Sequence, residues 1–118
     1  LLVKAGVAVC ISSNETYNAR KLRQVAGNAV RAGMKHEDAI RAITSAPADA
    51  FGLGAKVGTL KKGKVANVVV WTGDPLELST EPALVIIRGK KTSLRTRQTE
   101  LFEKYRKLPP KKSHEPIQ

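Results

Sequence analysis

Cysteine is nearly missing from this sequence: Cys10 is the single example in 118 residues. That excludes an internal disulfide and any zinc site built on paired cysteines. Two histidines, His36 and His114, lie far apart with no third ligand beside either, so they do not make a metal site. Aromatic residues are 4% of the chain, and a core must therefore rest on Ala, Val, Leu and Ile. No apolar run approaches the roughly 20 residues that a membrane-spanning helix needs. Acidic residues are also scarce, 10 against 21 Lys and Arg, for a net charge of +11. Ten of the basic residues but only three of the acids fall within 87–118, so the excess is concentrated there. Such a stretch attracts nucleic acid, anionic surfaces or acidic partners. Its cations are not interleaved with stacking aromatics, and it reads as a solvated segment rather than a nucleic-acid interface.

What is present has a clear order. Leu1 to Ala5 reads as a last helical turn, stopped at Gly6, which predicts a piece of a longer chain. Val7-Ala8-Val9-Cys10-Ile11 is a short continuous apolar run, as in a strand buried on both faces, with Cys10 a small buried hydrophobe. Ser12 to Thr16 is polar and turn-prone. From about Asn18, Ala19, Leu22, Val25, Ala26, Ala29 and Val30 recur at helical spacing, and Gly33 is the stop. Glu37-Asp38 opens a second helix with Ala39, Ile40 and Ile43 inward. Ser45 is the expected cap of a third, with Pro47 in its first turn and Gly52 ending it.

Past Gly54 the pattern is β-like. Val57 to Leu60 precedes a turn at Lys61-Lys62-Gly63-Lys64, and Ala66 to Trp71 is a strand rich in β-branched residues. Gly73-Asp74-Pro75 breaks it. Leu84 to Ile87 is a second strand, turning at Arg88-Gly89-Lys90 into a return at Lys91-Thr92-Ser93. A helix is expected from about Arg97 to Arg106, with Leu101, Phe102 and Tyr105 on one side. Trp71 is expected to plug the β core, and Tyr105 to pack that helix with its hydroxyl in water. A lone strand with its helix, followed by two or three strands, cannot cover its own apolar faces, so missing sequence or self-association is expected.

These residues carry a resemblance. The series runs from Ala5-Gly6-Val7-Ala8-Val9 and Ile11-Ser12-Ser13-Asn14 through Ala29 to Met34 and Glu37 to Ala48. It continues in Gly52-Leu53, Val57 to Trp71, Gly73-Asp74-Pro75-Leu76 and Val85 to Lys90. In that order it resembles the C-terminal end of the metal-dependent amidohydrolases, and within them the imidazolonepropionase-like branch. The resemblance implies an α/β fold: the last strand–helix unit of a (β/α)8 barrel, part of a small β-sandwich, and a C-terminal helix. The corresponding division is 1–53 for the terminal barrel strand and helices, 54–94 for the partial sandwich, 95–108 for the helix, and 109–118 for a disordered basic tail.

The resemblance further implies a hydrolase of non-peptide or cyclic amide C–N bonds, with small-molecule substrates. Zinc or another divalent metal would be held mainly by histidines from earlier barrel strands, and an Asp closing the eighth strand would ligate metal and move the proton of the attacking water. At that position this sequence has Asn14. An amide offers a carbonyl oxygen but no charge, and it cannot act as a general base. Asn14 is thus the one candidate catalytic position, expected to be non-functional, and no metal or cofactor ligand is assigned within the chain. Glu15 beside it reads as a solvated loop acid, His36 as a surface residue at a helix start, and Ser12 and Ser13 lack a base. The chain is expected to be inactive alone, with the remainder of a barrel or a second copy as its partner. The alternatives are a non-catalytic scaffold of the same family, or a basic protein that binds an anionic partner. No pattern assigns a compartment.

Overall fold

The computed structural model describes residues 2–106. A 3-10 turn at Val3–Ala5 ends on Gly6, whose φ of 76° is left-handed. A second 3-10 segment, Thr16–Lys21, leads directly into α1, Leu22–Arg31. Then come α2 (His36–Ile43), α3 (Ser45–Ala50), β1 (Val68–Trp71), β2 (Pro82–Ile87), β3 (Lys90–Thr92) and α4 (Arg97–Tyr105). The strands form one antiparallel sheet in the order β1-β2-β3, which with the helices fits an α/β class.

The helical half follows its apolar period. Ala26 on α1 and Ala39 on α2 are fully buried, and Leu76, from the loop after β1, closes over them. Ile11, Val30, Met34, Ile40 and Ile43 pack partly buried around this cluster. Small residues at the centre let the helices approach closely. Gly33 stops α1 as expected, at φ 100°, with Gly33 N donating to Val30 O and Met34 N to Ala29 O, both at 2.9 Å. That pair of bonds is a Schellman cap, and only glycine takes its φ without penalty.

Two expected strands do not form. Val7 to Ile11 has no ladder among the described residues; its one bond to the helices is Ile11 N to Ala42 O, 2.9 Å. A strand is defined by a partner's backbone groups, and an apolar run cannot supply them. Cys10 consequently stands exposed rather than buried. Val57 to Leu60 is likewise a looped segment, held against α3 by the close fit of Gly58 to Ala48. The cap of α3 is also different from expectation. Thr44, not Ser45, takes the N-cap position, and its hydroxyl donates back to Ile40 O at 2.6 Å instead of capping α3.

The sheet half holds the stronger strand patterns. Val68, Val69 and Val70 pair with Ile86, Val85 and Leu84, with a register irregularity before Trp71 meets Pro82. β2 returns to β3 through Arg88 and Gly89, at φ 50° and 78°. Two successive positive φ values make a type I′ turn, whose twist matches that of the strands it joins. No second sheet is present among the described residues, and Val69, Val70 and Ile87 remain exposed. α4 starts with a reciprocal cap, Thr96 Oγ1 accepting from Thr99 N and Thr99 Oγ1 from Thr96 N. Its apolar residues Leu101, Phe102 and Tyr105 are all exposed. His114 and the basic tail expected at 109–118 lie outside the described residues. No helix among those described is long and apolar enough to cross a membrane.

Candidate functional site

The turn that carries Asn14 follows from its own residues. Asn14 has a φ of 61°, a left-handed conformation that Asn tolerates better than most side chains. Its N–H donates to Ser12 Oγ at 3.1 Å, and Glu15 N donates to Ser13 O at 2.7 Å. Ser13 Oγ donates to Glu15 O at 3.2 Å. Both serine hydroxyls thus take part in closing the turn. Asn14 and Glu15 are both exposed. His36 is not brought to this turn, and among the described residues no three His, Cys, Asp or Glu side chains converge as a metal site. The donor set around Asn14 does not fit a divalent ion: a neutral amide, two committed hydroxyls and one solvated carboxylate.

A second constellation joins the two halves of the molecule. His36, at the start of α2, is a surface residue as expected, but its Nε2 lies 2.9 Å from both carboxylate oxygens of Asp74. Asp74 also accepts from Leu76 N at 2.9 Å, which fixes the turn that drives Leu76 into the core. From α1, Arg23 Nη1 donates to Pro75 O at 2.9 Å, with longer contacts to the carbonyls of Glu77 and Thr80. The Arg23 guanidinium carbon also sits 4.3 Å above the Trp71 ring. Trp71 is thus half-buried beneath a cation, rather than plugging a sheet core. Sequence reasoning singled out neither Arg23 nor Asp74 as a contact. The Gly73-Asp74-Pro75 turn was visible, but which helix would meet it was not.

The His36 hydrogen bond, then the Leu76 N–H, lower the carboxyl pKa of Asp74 below its ordinary value. A group whose folded pKa is depressed adds stability above its unfolded pKa and loses it as pH falls through the folded one. Asp74→Asn is therefore expected to destabilise the chain at neutral pH. The difference from wild type should shrink toward zero as pH is lowered past the carboxylate range. Urea titrations of both proteins across that range check this, and a difference that does not change with pH would refute it.

With this geometry in view, comparison with known proteins is decisive on one point. The Amidohydrolase family model matches residues 3–93. The chain belongs to the amidohydrolase family. It is similar to Amidohydrolase tasK of Hapsidospora irregularis, at 35% identity over 81 residues, which is 69% of this chain and 8% of that protein. Among solved structures it resembles an amidohydrolase from Thermotoga maritima MSB8, with a TM-score of 0.75 and 30% identity over 80% of this chain and 25% of that one. This amidohydrolase chain therefore spans a quarter or less of the length of these relatives.

Proposed function

We propose that this chain is the C-terminal part of an amidohydrolase acting on non-peptide or cyclic amide C–N bonds, in the imidazolonepropionase-like branch, and that it does not hydrolyse them by itself. On this reading Val7 to Ile11 is the eighth barrel strand, 54–94 belongs to a small β-sandwich, and the remainder of a barrel is the natural partner. The observation that carries the proposal is Asn14. It occupies the turn directly after the apolar run, exposed and at a left-handed φ. A carboxylate there would offer charge to a metal and a base to water; the amide offers neither. The small-molecule substrate would be selected by loops on the other barrel strands. In the family a divalent ion polarises the carbonyl and acidifies water when bound. In this chain Ser12 and Ser13 shape the turn, while Asn14 can accept or donate a hydrogen bond but cannot take a proton.

The test is metal content by elemental analysis of the purified chain and of Asn14→Asp, together with hydrolysis of a simple lactam. Both proteins are expected to bind well under one equivalent of zinc and to show no zinc-dependent turnover. One equivalent in the parent, or hydrolysis by it, would overturn the reading of Asn14. Metal binding that appears only in Asn14→Asp would instead support the position while showing that a single carboxylate restores affinity.

A further inference from the structure

Between α2 and the sheet lies a groove of about 530 Å³, to which the turn at Asn14 does not contribute. That size falls within the roughly 300–1,000 Å³ of ordinary small-ligand sites. Its walls are largely aliphatic: Ile40 and Ile43 from α2, Val57 from the loop, Val69 from β1, and Pro75 beyond it, together with Trp71. Among the described residues, Arg23 is the one charged residue that lines it.

The surroundings of that arginine point to the chemistry the groove suits. Arg23 is half-buried, with Trp71 covering one side of the guanidinium. Its hydrogen bonds among the described residues all come from Nη1 and go to neutral oxygens, those of Pro75, Glu77 and Thr80. The ion pairs formed among those residues are His36–Asp74 and Arg95–Glu103, so no carboxylate neutralises Arg23 there. A planar cation with free donors, partly shielded from water and bordered by hydrocarbon, is complementary to a carboxylate that carries an apolar chain. One guanidinium calls for one acid group. The branched aliphatic walls, and a Trp71 face already taken by the cation, favour an alkyl chain over an aromatic ring.

We propose that this groove binds a medium-chain aliphatic monocarboxylate, its acid group on Arg23 and its chain along Ile40, Ile43 and Val69. The inference uses no residue of the Asn14 turn, so its failure and that of the Asn14 reading are distinguishable. Trp71 is the only tryptophan, so its emission reports occupancy directly.

The experiment titrates the whole 118-residue chain with decanoate below its micelle threshold, by Trp71 fluorescence and by calorimetry. Saturable binding of one equivalent is expected, with decanol, equal in chain length but uncharged, weaker by about tenfold or more. Arg23→Met should show the same loss. Because Arg23 also grips the 73–80 loop, Val69→Glu is the second variant: it places a carboxylate in the groove from an exposed strand position and should abolish binding with unchanged circular dichroism. Equal affinity for decanol and decanoate, retained binding in Val69→Glu, or no saturation by decanoate would overturn the proposal. An emission change on raising protein concentration alone, with decanoate inert, would place a second copy of the chain in the groove and overturn it too.

Discussion

Leu76→Ala is expected to lower the free energy of unfolding by about 3 kcal/mol, a large share of what a small domain possesses. Leu76 is the largest of the buried apolar side chains, 8% exposed, in a core otherwise made of alanines. It packs on Ala26 and Ala39, and the backbone of its loop comes so near α1 that a Cβ on Gly27 would lie 3.0 Å from Leu76 O. Truncation leaves a cavity between two helices that meet through alanines, and the surrounding structure relaxes into such a space only in part. The loop would keep its polar grips from Arg23 and His36 while losing the side chain that makes them matter. Urea unfolding by circular dichroism reads the effect as a lower midpoint at unchanged slope. A loss under about 1 kcal/mol would mean that the loop is not docked in solution.

Gly58→Ala should be nearly as damaging, at about 2–4 kcal/mol, from strain rather than from a cavity. The φ of Gly58 is 92°, and a Cβ there would lie 2.7 Å from Ala48 Cβ and 3.1 Å from Ser45 Cα. Both neighbours belong to α3 and cannot swing away, so either the 57–60 loop lifts from the helix or the helix moves. Gly54→Ala is the informative control. Its Cβ would fall on the Asp49 carboxylate, the free end of a flexible side chain, and its φ is not in the left-handed region. That substitution should cost less than about 1 kcal/mol, because a rotamer change of Asp49 relieves the clash. If the two variants unfold at the same urea concentration, the close fit of Gly58 to α3 is not what holds the loop.

Both predictions rest on places where the chain meets itself over long sequence separation, and those are the places where the sequence was least legible. The helices were readable because their signal is local. Apolar residues three and four apart put Ala26 on one face of α1 and Ala39 on one face of α2, and Gly33 supplied a stop that needs no distant partner. β1 and β2 were readable for a related reason: β-branched runs bounded by turns, with Arg88-Gly89 able to take the positive φ values of a tight hairpin. Asn14 was readable as a chemical fact, since the identity of a side chain limits its proton chemistry before any fold is known. The family, too, was carried by ordered local motifs, and the match over residues 3–93 agrees with them.

What only the tertiary structure decided was partnership. Val7 to Ile11 has the composition of a strand but finds no backbone to pair with among the described residues, and Cys10 is exposed as a result. Trp71 has the size of a core plug and instead lies under Arg23, because the sheet meets the helices through a loop rather than through a packed face. His36 was placed correctly on the surface, yet its bond to Asp74 depends on where the β1 loop crosses α2, which no local pattern encodes. Side-chain identity and period determine which elements a segment can form. Which of those elements are completed, and which cation meets which anion, depends on hydrogen-bonding and charged groups that the fold brings from elsewhere in the chain.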